Sequence, residues 1–477
     1  MKKVFIWAFA ALFLGSLALT SCSKDKDESS SSSETRDRAR YTILVYGNAG
    51  SSMDYIIEDM WDQLKPMLDD KTDIRMVFLY KYGSPDNVNP DYPARYGNPG
   101  DVVMFELNSK TNLDSLRYTE TSHRPGFQLY NPYILSAVID EVKDSCPADN
   151  YIFILWGHGG GYDIANDAPN NIITKGVLYD ELDEHKGMSM YEFADGLAAA
   201  DNAHFQLLMF HNCLMGNIEN ITEVQQYADY FFVSSHVLNS SGEPIVELIR
   251  TLQSRRGDYD FEKIAEQMYT NLRPVYNQMM TNPEEPITEN QDHKIIRSSD
   301  ITVLNFYIGE LANRLVELYA DPDKAALIDS AAAHYLYCYN IDDPYLVDLD
   351  SYVDRLAYYV NDPMIQGLAT EIHNTLNQAI IQDWNYNYPH PEAGGQTSGL
   401  DKYTLSIVFG HHDFMHFVLK GNTLASAYYP SAFNRRTGWA NWLNTNTYWP
   451  LIRKCPEGGF SMTWEAYRDA LSEIFNN

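Results

Sequence analysis

The stretch LLMFHNCLMGNIE, residues 207–219, runs four apolar residues into a His, an Asn and a Cys, then into a helical pattern carried by Leu214, Ile218 and Ile221. A second stretch, YIFILWGHGGGY, residues 151–162, is another apolar run, and it ends in Gly-His-Gly-Gly-Gly. If both runs are neighbouring strands of a parallel sheet, His158 and Cys213 leave it at the same edge. A thiolate is a strong nucleophile, and a nearby imidazole takes its proton or stabilises the anion, so this pair is suited to acyl transfer. The glycines after His158 let backbone come close to a substrate, and their N–H groups can hold a developing oxyanion. Taken singly, a His after a strand is an ordinary loop residue, and a Cys before a helix is usually a small core hydrophobe. The joint pattern is what raises a Cys–His dyad.

The elements that would position this pair follow from periodicity. The run before Cys213 begins at 205 (205–210), and residues 41–47, 74–82, 102–107 and 230–235 read as further strands, with helices over about 53–68, 131–144 and 189–200. Apolar runs alternating with helices imply a mostly parallel sheet covered on both faces, in which active sites lie at the carboxyl ends of strands. From about residue 242 helical patterns dominate to about 380, and KYTLSIVFG (402–410) reads as one more strand. The expected class is therefore α/β, with a domain at 41–245 and a largely helical part at 246–477 that adds a further strand.

The N-terminus carries an address. Residues 1–21 read as a secretory signal, with two Lys, an apolar run and small residues, and Leu19-Thr20-Ser21-Cys22 resembles a bacterial lipobox. That resemblance implies lipidation of Cys22 and anchoring in the cell envelope, as an outer-membrane lipoprotein facing either the periplasm or the exterior. Residues 22–40 are Ser-rich and charged, with too few apolar residues to build a core, and read as a flexible tether.

The formal net charge of −30 argues against nucleic acid, since phosphate binding needs clustered Lys and Arg. The five Cys are sparse and odd in number, which implies no disulfide framework. His411 and His412 are adjacent, so on a strand they point to opposite faces and make no metal pair. No metal site is expected.

LWGHGGG and FHNCLMGNIE resemble the His and Cys blocks of the clostripain family of cysteine peptidases, within the wider caspase and gingipain group. VYGNAG (45–50), YADYFFVSS (227–235), YLVDLDSYVDRL (345–356), TLSIVFG and TGWANWL (437–443) resemble further family segments in the right order. The resemblance implies a caspase-like fold and Cys–His endopeptidase chemistry on protein or peptide substrates. It implies Cys213 as nucleophile, His158 as its partner, and an oxyanion hole made by backbone N–H groups of Gly159 and Cys213. No cofactor is required, although calcium dependence is known among relatives. Some relatives cut themselves in the loop after the His, here Asn166 to Lys175, with Lys175 and Asn170-Asn171 as the conceivable points.

The sequence departs from the family in its specificity residues. Typical members carry an aspartate two residues before the nucleophile, where this chain has His211. Acidic residues that members often carry after the following strand are replaced by Ser235 and His236. These three residues are the candidate substrate-binding positions. A pocket for Arg or Lys needs a buried counter-charge, so the usual basic specificity should be weakened or lost. Asp163 or Asp180 are the alternative sources of that charge. The departure leaves two other readings open: a catalytically silent relative that binds peptides, and a glycan-binding surface lipoprotein with aromatic platforms.

Overall fold

The computed structural model describes residues 38–48, 53–83, 94–162, 176–180, 182–183, 186–238, 241–282, 287, 289–333, 346–388, 400, 402–408 and 431–445. Cys22, Asp163, the segment from Asn166 to Lys175, His411 and His412 lie outside the described residues.

The strands are β1 (Ala39–Asn48), β2 (Ile74–Lys81), β3 (Val102–Glu106), β4 (Ala148–Gly157), β5 (Leu178–Asp180), β6 (Lys186–Met188), β7 (Phe205–His211), β8 (Ala228–Val233), β9 (Gln291–Arg297), β10 (Leu346–Asp348), β11 (Ile380–Tyr386) and β12 (Ser406–Val408). Eight of them form one sheet in the order β11-β9-β8-β7-β4-β1-β2-β3. The interior pairs β2/β1, β1/β4, β4/β7 and β7/β8 are parallel, while β3, β9 and β11 join antiparallel at the two ends. The sheet is thus mixed but mostly parallel.

Alternation along each strand splits the core into two layers. Leu44, Phe153, Leu155, Leu208, Phe210 and Phe231 face one side, with apolar residues of helices Pro132–Ser145, Met190–Ala199 and Ser298–Tyr319 packed over them. Ile43, Val45, Ile154, Trp156, Met209 and Phe232 face the other, covered by helices Asp54–Leu64, Glu243–Ser254 and Phe261–Met280. Burial on both faces is why the central strands read as unbroken apolar runs.

Two features differ from expectation. The further strand expected at 402–410 is the short β12, and it pairs with β10 in a separate antiparallel sheet. The strands that do extend the main sheet beyond β8 are β9 and β11, within a stretch that reads as helical. β9 is QDHKIIR, and its Gln291, Asp292, His293 and Lys294 are all buried. A strand whose polar side chains are neutralised internally has no apolar run to betray it. Helix Glu243–Ser254 also spans position 245, so the chain on either side of that point contributes to one sheet and its covering layer.

Candidate active site

β4 and β7 are adjacent and parallel, in a register that sets Trp156 beside His211. One turn leaves each strand at this edge, and the two turns meet. A cleft there is lined by His158, His211, Asn212 and Cys213, together with Met53, Trp156, Gly157 and Leu238. The sheet thus gathers His158 and Cys213 at one opening.

Glycine is required where the turns meet. A Cβ on Gly159 would lie 2.3 Å from the Cys213 carbonyl oxygen and 3.0 Å from its backbone nitrogen. Gly157 has φ of 149° and Gly161 of 78°, values that L side chains rarely adopt. The Asn212 amide fastens the same junction. Its Nδ2 donates to the carbonyls of Gly157 at 2.9 Å, His158 at 3.0 Å and Val177 at 3.2 Å. Buried carbonyls need such partners.

Cys213 is a half-buried free thiol. The Leu238 N–H points at its Sγ from 3.4 Å, and the Sγ lies 3.9 Å from the Leu238 carbonyl. The next residue, Leu214, has φ of +61°, unusual for a branched side chain. Its N–H donates to the His236 carbonyl at 3.0 Å, which secures the left-handed turn that lifts the chain off β7. Backbone strain of this kind clusters at functional sites.

His211 closes β7. It is buried, and its ring stacks on Trp156 at 4.3 Å between centroids and 12° between planes. Burial pushes its imidazole down to about 4, against weaker support from its own backbone and that of Ser241. The strand ends at His211, so strand alternation does not extend to Cys213; the two side chains share the cleft because the chain turns.

Ser235 and His236 are not brought to the cleft. Both are buried and gather around Asp292 of β9. Asp292 accepts the backbone N–H groups of Ser235 at 3.1 Å and His236 at 2.9 Å, the Ser234 hydroxyl at 3.2 Å, and pairs with His236 Nδ1 at 2.7 Å. Lys294 completes the cluster with an ion pair to Asp292 and a 3.0 Å bond to the Ser235 hydroxyl. The Ser235 hydroxyl lies 2.9 Å from each of the carbonyls of Gly216 and Thr404, to either of which its one proton can be donated. Burial works to raise the Asp292 carboxyl, but Lys294 and His236 overcome it and hold the group well below the usual carboxylate range. Asp180 is also occupied, buried in an ion pair with Lys81.

The profile of the clostripain family matches residues 101–450. The chain belongs to the clostripain family. Clostripain of Hathewaya histolytica is 24% identical over 193 residues, covering 38% of this chain and 35% of that protein, so the chain spans about a third of the length of the curated relative it matches. A secreted C11 cysteine protease from Bacteroides thetaiotaomicron, solved with an irreversible peptide inhibitor, superposes with a TM-score of 0.55 at 15% identity. That match covers 84% of this chain and 99% of that one. An inactive zymogen C11 protease from Parabacteroides distasonis gives 0.53 at 18% identity, over 84% and 98% of the two chains. These likenesses show that the fold is shared.

Within this clostripain-family chain, several site residues were passed over in the sequence. Asn212 sits between two candidate residues, and a polar amide ending a buried strand signals backbone groups that need a partner. Asp292 and Lys294 carry no such signal, because their spacing to Ser235 appears only once β9 is placed beside β8. Among the described residues, no group of three or more His, Cys, Asp or Glu side chains is arranged to hold a metal ion, and no helix is long and apolar enough to cross a membrane.

Proposed function

We propose that this chain is a cysteine endopeptidase in which Cys213 is the nucleophile and His158 its acid–base partner. The observation that carries the reading is the close packing of the Gly157-His158-Gly159 turn on the Cys213 backbone, at the ends of two adjacent parallel strands. His158 takes the thiol proton, and the Cys213 sulfur attacks the peptide carbonyl carbon. The carbonyl oxygen becomes an oxyanion, held by the N–H groups of Gly159 and Cys213. As the tetrahedral species collapses, His158 returns its proton to the leaving amine and a thioester remains. Water, deprotonated by His158, then hydrolyses the thioester and restores the thiol.

The substrates are proteins or peptides. The chain acts outside the cytoplasm, tethered through lipid on Cys22 and the segment 22–40. Labelled palmitate should enter the native chain and not the Cys22→Ser variant; equal labelling would refute the tether.

The activity is tested on protein from residue 23 onward, with and without Cys213→Ala, against peptides bearing every residue type before the scissile bond. The same reactions are run with and without calcium and with reductant. Cleavage that depends on Cys213 supports the reading. No cleavage by either form, including trypsin-nicked samples, would leave a peptide-binding relative.

A further inference from the structure

The turn that carries Cys213 rests on the chain just past β8. The Leu214 N–H donates to the His236 carbonyl at 3.0 Å, and the Gly216 N–H donates to the Ser234 carbonyl at 2.6 Å. Leu238 presents its N–H to Cys213 Sγ at 3.4 Å. The fit has no slack, since a Cβ on Gly216 would lie 2.8 Å from both the Ser234 carbonyl carbon and the Ser235 nitrogen. The left-handed Leu214, at φ of +61°, persists only if its surroundings fix it. Residues 234–238 therefore set where the sulfur stands.

The sheet does not hold those residues. The ladder of β8 with β7 ends at Phe232, and its ladder with β9 ends at Val233 opposite Lys294. Past that point the buried N–H groups of Ser235 and His236 need other acceptors. The Asp292 carboxylate takes the place of the ladder. One of its oxygens, Oδ1, lies 2.9 Å from the His236 nitrogen, 3.1 Å from the Ser235 nitrogen, 3.2 Å from the Ser234 hydroxyl and 2.7 Å from His236 Nδ1. The other oxygen carries the ion pair to Lys294, and neither side chain is exposed. An ionised acceptor makes shorter and stronger bonds than a neutral one. Against apolar residues of like volume, a buried ion pair adds little net stability; its best-attested use is to select one geometry. Here the geometry selected is that of the backbone under the thiol.

We propose that Asp292 is a positioning residue for Cys213: by holding the N–H groups of Ser235 and His236, it fixes the segment on which Leu214, Gly216 and the Cys213 sulfur rest. This rests on the reading of Cys213 as the nucleophile.

The test is covalent labelling of Cys213 in protein from residue 23 onward, followed by intact mass and resolved into kinact and KI. The probe is the peptidyl acyloxymethyl ketone that labels the native chain fastest among a set ending in Ala, Leu, Gln, Glu, Lys or Arg. Asp292→Leu with Lys294→Met removes the acceptor without stranding a charge. It should lower kinact at least about tenfold with little change in KI, toward the roughly 100-fold that a misplacement of about 1 Å can cost. Asp292→Asn with Lys294→Met returns an acceptor oxygen and should restore most of the native kinact. Thermal melts establish that each variant is folded at the assay temperature, so a loss of stability alone does not lower kinact. A native kinact in the Leu pair, or an equal loss in the Asn pair, overturns the proposal while leaving the nucleophile in place. If the Leu pair does not fold, Asp292→Glu decides: it keeps the charge beside Lys294 but moves the acceptor by one methylene, and an unchanged kinact overturns the proposal. Failure of every probe to label Cys213 of the native chain faster than that of His158→Ala instead overturns the reading of the dyad, and this proposal with it.

Discussion

Gly159 and Cys213 lie so close that a single added methyl at Gly159 would collide with the Cys213 carbonyl oxygen, at 2.3 Å. The contact is backbone against backbone, so neither side can rotate away. In the proposed mechanism these two residues also supply the oxyanion donors. Gly159→Ala should therefore separate them and lower kcat by about 100-fold or more, the usual effect of losing one such donor. Steady-state kinetics alongside a thermal melt check this. A folded Gly159→Ala protein with native kcat would contradict it.

Asn212 joins three carbonyls from two turns through one amide nitrogen. Asn212→Ala should cost about 1–3 kcal/mol by leaving buried acceptors unpaired, and it should slow turnover by loosening His158. Asn212→Asp keeps the shape but places acceptors against acceptors, so it should be the worse of the two. Urea unfolding of both variants decides; an Asp variant more stable than the Ala variant would refute the role.

The contrast between β7 and β9 shows what could be read from the chain. β4 and β7 are buried on both faces, so their apolar runs and the residues just past them are visible in sequence. β9 is also buried, yet its Asp292 and Lys294 cancel by pairing with each other and with groups from the end of β8, which no periodicity reports. Ser235 and His236 stand as substrate-binding candidates through the family resemblance alone, and the carboxylate that holds them in the interior lies 57 and 56 positions away in sequence. Asn212 was in plain view, but its three acceptors come together only when the turns fold.

The buried Lys294–Asp292 pair should be strongly coupled. Lys294→Met leaves Asp292 charged and short of a partner, and should cost about 3–5 kcal/mol. Adding Asp292→Asn removes the stranded charge and should recover a sizeable part of that loss. A double-mutant cycle by chemical denaturation measures the coupling. Additive effects of the two changes would show that the pair does not act as a unit.

Acid should destabilise this fold above the carboxylate range. His211 and His293 have folded values pushed to about 4 and about 3, below the ordinary histidine value of 6.5. The unfolded chain therefore takes up their protons first. Stability is full above about pH 6.5 and falls as pH drops toward the folded values, by up to about 1.4 kcal/mol per pH unit for each imidazole. Urea unfolding between pH 7.5 and 4.5 should show this slope, reduced by about half in His293→Phe. An unchanged slope in that variant would assign the acid sensitivity to other groups.

The most direct test of the central claim is the site of covalent capture by a peptidyl acyloxymethyl ketone, mapped by peptide mass on the native chain, Cys213→Ala and His158→Ala. The account predicts one adduct on Cys213 of the native chain, none in Cys213→Ala, and a rate lowered by about 100-fold or more in His158→Ala, as expected when a general base is removed. An adduct on another residue, or capture in His158→Ala as fast as in the native chain, would contradict it.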